Sequence, residues 1–560
     1  MKFSDMPYRR PDIDALRADY DRLLAAFPTA DAAAQIALFD EHESLYRDYA
    51  TCATLAQIRH TVNTADEFYS AENDFFDENG PLISEKVNAL YRAMLASPHR
   101  AALEEHYGKL LFDNLEIAAR CFSPAIVELS QEENRLASQY QKLYASATVT
   151  FDGKTMTLPE LGVYKTSTDR AVRRAAFETE GRFFDEYADE LDDLYDRLVH
   201  CRDEQAKALG YDNYVAMGYD CLGRNCYTPA DMETFRTRVA ADIVPVIADV
   251  KERQRQRLGV DALKLYDDAM DFPDGNAKPQ GTADDILAAG RDMYRALSPE
   301  TAEFIDFLYD NELFDVLSRP GKAPGGYCTD LPAYGAPFIF SNFNGTSADV
   351  DVLTHEAGHA FAFYRAARRH PLVELASPTI EACEVHSMSM EFLTAAHHHR
   401  FFGDQTDKYE LAHAEDALCF LPYGCMVDEF QTRCYEQPDL TPAARHELWR
   451  SLEQRYRPYI DYDALPFYSR GAGWQRQLHI YLYPLYYIDY CLAQTVAFQF
   501  WMAFLHKPQE TWQRYLTFVD LGGERSFAEL VRAAGLRVPY EGDCLREVGE
   551  QVGAWLAAHS

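Results

Sequence analysis

At 560 residues the chain exceeds what one simple hydrophobic core serves, so two or more subdomains, or one large helical body with a cleft, are expected. Its 47% hydrophobic and 26% charged residues are those of a globular protein and exclude a disordered or fibrous chain. The formal charge of −35 argues against a nucleic-acid partner or an anionic membrane surface, because phosphates would meet a repulsive field.

The opening MKFSDMPYRRPDIDAL has no apolar signal core and carries acids that a mitochondrial presequence avoids, so neither export nor import is expected. From about Pro11 to Leu143 apolar residues recur at helical spacing with few Gly or Pro. The stretch SATVTFDGKTMTLPEL alternates on either side of Asp152-Gly153, which predicts a short hairpin. Helical periodicity resumes at Asp169 and runs almost without interruption to a stop at Gly210. Residues 268–285 read as a loop and a subdomain edge, and residues 321–345 as a small sheet whose clear strand is Phe338 to Phe343.

Directly after that strand, SADVDVLTHEAGHAFAFYRAARRH reads as a helix with Ser347 and Asp349 as competing caps and Arg365, Arg368 and Arg369 toward its far end. A second helix is expected over ASPTIEACEVHSMSMEF, residues 376–392. Tyr481 to Leu505 is apolar but interrupted by Pro484, Asp489, Gln494 and Gln499, which makes it a buried aromatic-rich helix rather than a membrane span. Near the end, Ser526 and Glu529 form a capping box and Gly535 a stop. The twelve cysteines are scattered without a CxxC pattern, Cys221/Cys226 and Cys419/Cys425 being the closest pairs, so reduced thiols and a cytoplasmic location are expected.

The chemistry concentrates at residues 355–391. His355 and His359 stand four apart on the expected helix, about 40° apart around its axis and about 6 Å along it, so both imidazoles can reach one ion. Glu356 sits at the rim of the same site, where a carboxylate can take a proton from water without being a ligand. A hydrolytic zinc site needs a third protein ligand. The next helix offers Glu381, Glu384, His386 and Glu391, and spacing alone does not choose among them.

Around these residues the chain resembles the thimet oligopeptidase and oligoendopeptidase F family of zinc metallopeptidases, in particular its bacterial oligoendopeptidase branch. The resemblance rests on TSADVDVLTHEAGHAF, on EVHSMSME at the family's spacing downstream, on GGYCT at 325–329, on HIYLYPLYYIDYCLAQ at 479–494 and on the opening residues. It implies Glu384 as third ligand beside His355 and His359, one zinc ion, and Glu381 and Glu391 as carboxylates that support the ligands. It further implies a mainly α, zincin-type fold with a small β-sheet beside the zinc helix and a deep central substrate channel. Residues 1–205 would form one wall of that channel and 206–560 the catalytic region. The implied activity is hydrolysis of internal bonds in short oligopeptides, with no nucleic-acid or membrane partner; nothing in the sequence sets an oligomeric state.

Residues 479–490 hold one histidine and five tyrosines. An aromatic core stripe is one reading. The other, which the resemblance favours, is that His479, Tyr486 and Tyr490 donate hydrogen bonds to the oxyanion that develops on the attacked carbonyl, with Tyr483 and Tyr487 as alternates. Tyr486 and Tyr490 are expected on one helix face, after a Gly-bearing segment, SRGAGWQRQ, that reads as a mobile loop. The strand residues Phe338, Ile339, Phe340, Ser341 and Asn342 are expected at a sheet edge, where an extended peptide can pair. His397, His398 and His399 diverge around a helix and read as solvated surface.

Overall fold

Helices make up 73% of the chain, which is therefore mainly α with small sheets, as expected. The computed structural model describes residues 1–319, 321–323, 325–370 and 372–560; Pro324, within the segment expected as a small sheet, lies outside the described residues. The backbone packs into two compact units. The first comprises Met1–Ala119, Lys278–Thr406 and Ala503–Leu536, and the second Arg120–Ala277, Asp407–Met502 and Arg537–Ser560. The chain passes from the second unit to the first at Ala277/Lys278, inside the loop segment 268–285.

The first unit begins with long helices, Ile13–Ala26, Ala32–Val62 and Glu67–Leu95, each started by an aspartate. Asp12, Asp31 and Asp66 accept from the backbone N–H of Ala15, Ala34 and Phe68 at 3.0, 2.9 and 2.9 Å, satisfying donors that a helix start leaves bare. Their apolar stripes meet in a core containing Phe27, Phe39, Leu90, Met94 and Phe112, joined by Leu372 and Leu375 from far along the chain.

Five strands occur among the described residues: β1 (Thr148–Phe151) and β2 (Lys154–Thr157) in the second unit, and β3 (Phe314–Leu317), β4 (Tyr327–Leu331) and β5 (Ala336–Phe343) in the first. β1 and β2 form the expected antiparallel hairpin, with Asp152 and Gly153 at φ +50° and +73°, the left-handed pair a two-residue turn requires. The second sheet has the order β3-β5-β4, with β3 parallel and β4 antiparallel to β5. This corrects the expected edge position of Phe338, Ile339, Phe340, Ser341 and Asn342. Their strand is central, buried almost throughout and hydrogen-bonded on both sides. An apolar run marks burial on both faces, and that favours the middle of a sheet.

In the second unit the helices Arg170–Glu186 and Ala188–Ala208 divide at Tyr187, and Gly210 follows at φ +88°. The SRGAGWQRQ segment is packed rather than mobile. Trp474 is fully buried and stacks on Tyr481 at 5.7 Å, and Gly471 sits where a Cβ would meet the His446 carbonyl oxygen at 2.1 Å, so its glycine serves close packing. His398 is only 2% exposed and faces Thr394 Oγ1 at 3.3 Å, so the histidine triplet is not uniformly solvated. All twelve cysteines are unbridged. No helix among the described residues is long and apolar enough to cross a membrane.

Candidate metal centre and active site

β5 ends at Phe343 and the helix Ala348–Ala366, here the His helix, starts after four residues. Neither expected cap acts as one. Ser347 makes no capping bond, and Asp349, inside the first turn, instead accepts from the N–H groups of Asn344 and Gly345 at 2.9 and 2.7 Å. The carboxylate thus closes the strand-to-helix loop from behind and sets the helix direction relative to the sheet. At the far end Arg365 grips Asp520 in two bonds of 2.5 and 2.8 Å.

The helix Ile380–Leu393, here the Glu helix, crosses the His helix closely because position 358 is glycine. A Cβ there would meet Ser387 Cα at 2.6 Å and the His386 carbonyl oxygen at 2.7 Å, both backbone atoms that cannot move aside alone. The same His386 carbonyl accepts from Tyr515 Oη at 2.8 Å, a second hold on the Glu helix at the crossing.

This crossing brings His355, His359 and Glu384 together. Their ligand atoms converge within 4.8 Å, and Glu356 is not part of the group. His355 Nε2 lies 3.4 Å and His359 Nε2 3.6 Å from Glu384 Oε2. Hydrogen bonds of this kind run to about 3.2 Å, whereas metal bonds of about 2.0–2.2 Å place tetrahedral ligand atoms about 3.3–3.6 Å apart. The residues therefore fit a small tetrahedral cation. The other nitrogen of His355, Nδ1, makes a true hydrogen bond of 2.7 Å with Glu391 Oε1, which aims Nε2 at the site. Ser387 Oγ donates to Glu384 Oε2 at 3.2 Å. Glu381 is buried at the start of the Glu helix and accepts from Thr379 Oγ1 at 2.8 Å. His386, the remaining candidate, lies against Phe518; burial and nearby His359 push its pKa down to about 3, so it stays neutral.

Burial alone would raise the Glu384 carboxyl, but the facing His355 and His359 outweigh it and hold the group well below the usual carboxylate range. Glu356 shifts the other way. Burial raises it, aided by Glu384 and Glu391 and opposed by the two histidines. Two carboxylates one helix apart are thus driven in opposite directions, one toward permanent charge and one toward proton exchange. β4 runs beside this site: the Cys328 thiol is pushed up first by burial and then by the Glu356 carboxylate.

The tyrosine-rich segment belongs to the second unit. A short helix, Leu478–Leu482, is followed by a turn in which Leu485 takes φ +63°, and the next helix starts at Tyr487. Arg224 holds that turn, donating to the Leu485 carbonyl at 2.6 Å and to Asp489 at 2.8 Å. Tyr486 therefore precedes the helix instead of sharing a helical face with Tyr490, a correction caused by the Pro484-Leu485 turn. The two rings still meet edge to face at 4.9 Å, and the ring of His479 lies 6.2 Å from that of Tyr486 and 6.1 Å from that of Tyr490. Tyr487 is nearer at 4.9 Å. His479 Nδ1 pairs with Gln477 Nε2 at 3.0 Å, and Gln477 in turn accepts from Tyr423 at 2.7 Å. Only Tyr481 is a core residue, fully buried with its hydroxyl on the Leu191 carbonyl, while Tyr483 is 52% exposed.

A largely helical protein in which a HExxH helix crosses a glutamate-bearing helix at metal-ligand spacing defines a class, the metallopeptidases. The family model for the Peptidase M3 N-terminal domain matches residues 3–122, and that for Peptidase family M3 matches residues 163–550. The structure of PZ peptidase A with an inhibitor is 46% identical, with a TM-score of 0.94 over 100% of this chain and 99% of that one. Another protein assigned as oligoendopeptidase F is 48% identical, with a TM-score of 0.94 over 100% and 99%. One from Bacillus anthracis str. Ames, also assigned as oligoendopeptidase F, is 42% identical, with a TM-score of 0.89 over 100% and 98%. No curated protein matches the chain. The chain belongs to peptidase family M3 and is a metallo-endopeptidase.

Proposed function

We propose that the chain hydrolyses internal bonds of short oligopeptides with one zinc ion held by His355, His359 and Glu384 and with Glu356 as general base. The observation that carries this reading is the convergence of the three ligand atoms at tetrahedral spacing with Glu356 beside them but outside the group. Zinc, when bound, supplies Lewis acidity, which lowers the pKa of a coordinated water to about 7.

The protein's own groups do the rest. Glu356, raised by burial, takes a proton from the attacking water and delivers it to the leaving amine. Glu391 keeps His355 in one orientation through its Nδ1; Glu381 supports the start of the Glu helix through Thr379. His479 with Tyr486 or Tyr490 donates to the oxyanion; support comes from the family resemblance of that segment and from the clustering of its rings. An extended peptide pairs with the outer edge of β4, the strand beside Glu356. Phe338, Ile339 and Phe340 then act from behind, by holding β4 in register, while Asn342 donates to the Ala323 and Gly325 carbonyls and the Ser341 carbonyl accepts from Lys322 in the segment before β4.

Mass spectrometry of a digest of end-blocked peptides, with intact proteins and a chelator blank as controls, tests the reading. Internal cuts confined to short peptides and abolished by the chelator are expected. Failure to cut any end-blocked peptide would make the enzyme one that recognises a chain terminus, and cleavage surviving the chelator would remove the metal from the reaction.

A further inference from the structure

A second set of ligand-type groups lies in the first unit, away from the HExxH motif. His42 and Glu43, on the helix Ala32–Val62, meet Glu374, in the short turn Val373–Leu375 that joins the His helix to the Glu helix. Their ligand atoms fall within 4.8 Å of one another. His42 is fully buried, Glu43 is 4% exposed and the Glu374 side chain 14%.

The internal geometry repeats that of the first site. His42 Nε2 stands 3.4 Å from Glu374 Oε1 and 3.7 Å from Glu43 Oε1. The first is a hydrogen bond at the long end of the range and the second lies beyond it; both are close to the edge of a tetrahedron around a small cation, about 3.3–3.6 Å. The other imidazole nitrogen, Nδ1, is in a true hydrogen bond of 2.9 Å with Tyr20 Oη, as a metal-bound histidine requires of its outer side. Tyr91 donates to Glu374 Oε1, and Glu43 Oε2 accepts from the Val373 N–H at 2.8 Å. Yet Glu43 Oε1, which faces His42, and Glu374 Oε2 are buried without a hydrogen-bond partner among the described residues. Glu43 thus turns an unpartnered oxygen toward the imidazole nitrogen, and Glu374 a partnered one, inside an aromatic box of Tyr20, Phe39, Tyr46 and Tyr91, with Arg47 the nearby positive charge that offsets Glu43.

We propose that His42, Glu43 and Glu374 bind a second divalent transition-metal ion, of the zinc type, that clamps the helix Ala32–Val62 to the turn between the two helices of the catalytic centre. Mixed imidazole and carboxylate ligation suits zinc, cobalt or manganese and disfavours soft, thiolate-seeking ions. The role is structural: Leu372 and Leu375 on either side of Glu374 are part of the N-terminal helical core, so the ion ties the Glu helix's approach to that core. The competing occupant is a proton shared by the two carboxylates. Burial and the facing Glu374 push the Glu43 carboxyl up to about 9 when no cation is present. A shared proton joins only the two carboxylates and leaves His42 with one long hydrogen bond to Glu374, whereas a cation engages all three groups.

The test is zinc stoichiometry on the full chain. Chelator-stripped protein is titrated with zinc against a competing chromophoric chelator, and the dialysed product is assayed by elemental mass spectrometry. Two equivalents are expected for the unaltered chain, and one each for His42→Gln and for Glu384→Gln. A single equivalent in the unaltered chain, or two that persist in His42→Gln, overturns the proposal in favour of the shared proton. Should His42→Gln fail to fold, the anomalous difference map of zinc-loaded crystals decides: a peak about 2 Å from His42 Nε2 is expected, and its absence overturns the proposal.

Discussion

His355, His359 and Glu384 on one side, and His42, Glu43 and Glu374 on the other, share nearly the same internal spacing: 3.4 and 3.6 Å in the first, 3.4 and 3.7 Å in the second. Each has one imidazole whose outer nitrogen is tied down, by Glu391 in the first and by Tyr20 in the second. They differ in what stands beside them. The first has Glu356, half-buried and raised toward proton exchange, and the edge strand β4. The second is lined by the aromatic side chains of Tyr20, Phe39, Tyr46 and Tyr91. On the proposed reading, similar ligand geometry serves catalysis in one place and support in the other, and the neighbouring groups decide which.

The contrast can be broken most severely at Glu384. Glu384→Gln is expected to release the catalytic metal and to lower kcat/KM by more than about 10³-fold, since the base's own contribution of about 10²–10⁴ is lost along with the ion's; full activity at unchanged zinc content would remove Glu384 as a ligand. Next come the hydroxyls of the second unit. Tyr490→Phe or Tyr486→Phe should cost about 10²–10³ in kcat with zinc content unchanged, and unchanged rates in both would return the rings to a packing role. At the outer partners, Glu391→Gln should weaken zinc at the first site by about 10–100-fold. Equal zinc affinity in that variant would show that His355 needs no partner. The smallest change is Gly358→Ala, whose methyl would push the two crossing helices apart, at about 1–3 kcal/mol of stability; an unaltered unfolding midpoint would mean that the helices have slack.

Local signals were the legible ones. HEAGH, the i, i+4 histidines, the Asp152-Gly153 hairpin and the Ser526/Glu529 capping box depend on residues within a few positions of one another, and the structure contains each of them. Only the family resemblance singles out Glu384, because Glu381, Glu384 and Glu391 lie on the same helix and spacing does not rank them. The central position of β5 was hidden because β3 and β4, which flank it, are separate segments. Tyr486 left its expected helix through a positive φ at Leu485 that Arg224 stabilises from far along the chain. The second cluster left no motif at all: its third member, Glu374, joins two adjacent residues that lie far back along the chain, and nothing local to either marks it. Gly358 did leave a trace, a glycine inside a helix, which signals a close approach even when the partner is unknown.

The division of labour between ligand and base is tested most directly by Glu356→Gln, with zinc content and hydrolysis of an end-blocked, internally quenched peptide measured on the same sample. Zinc at the level of the unaltered chain with turnover reduced by about 10²–10⁴-fold is the expected result; full turnover with zinc bound would contradict Glu356 as the base.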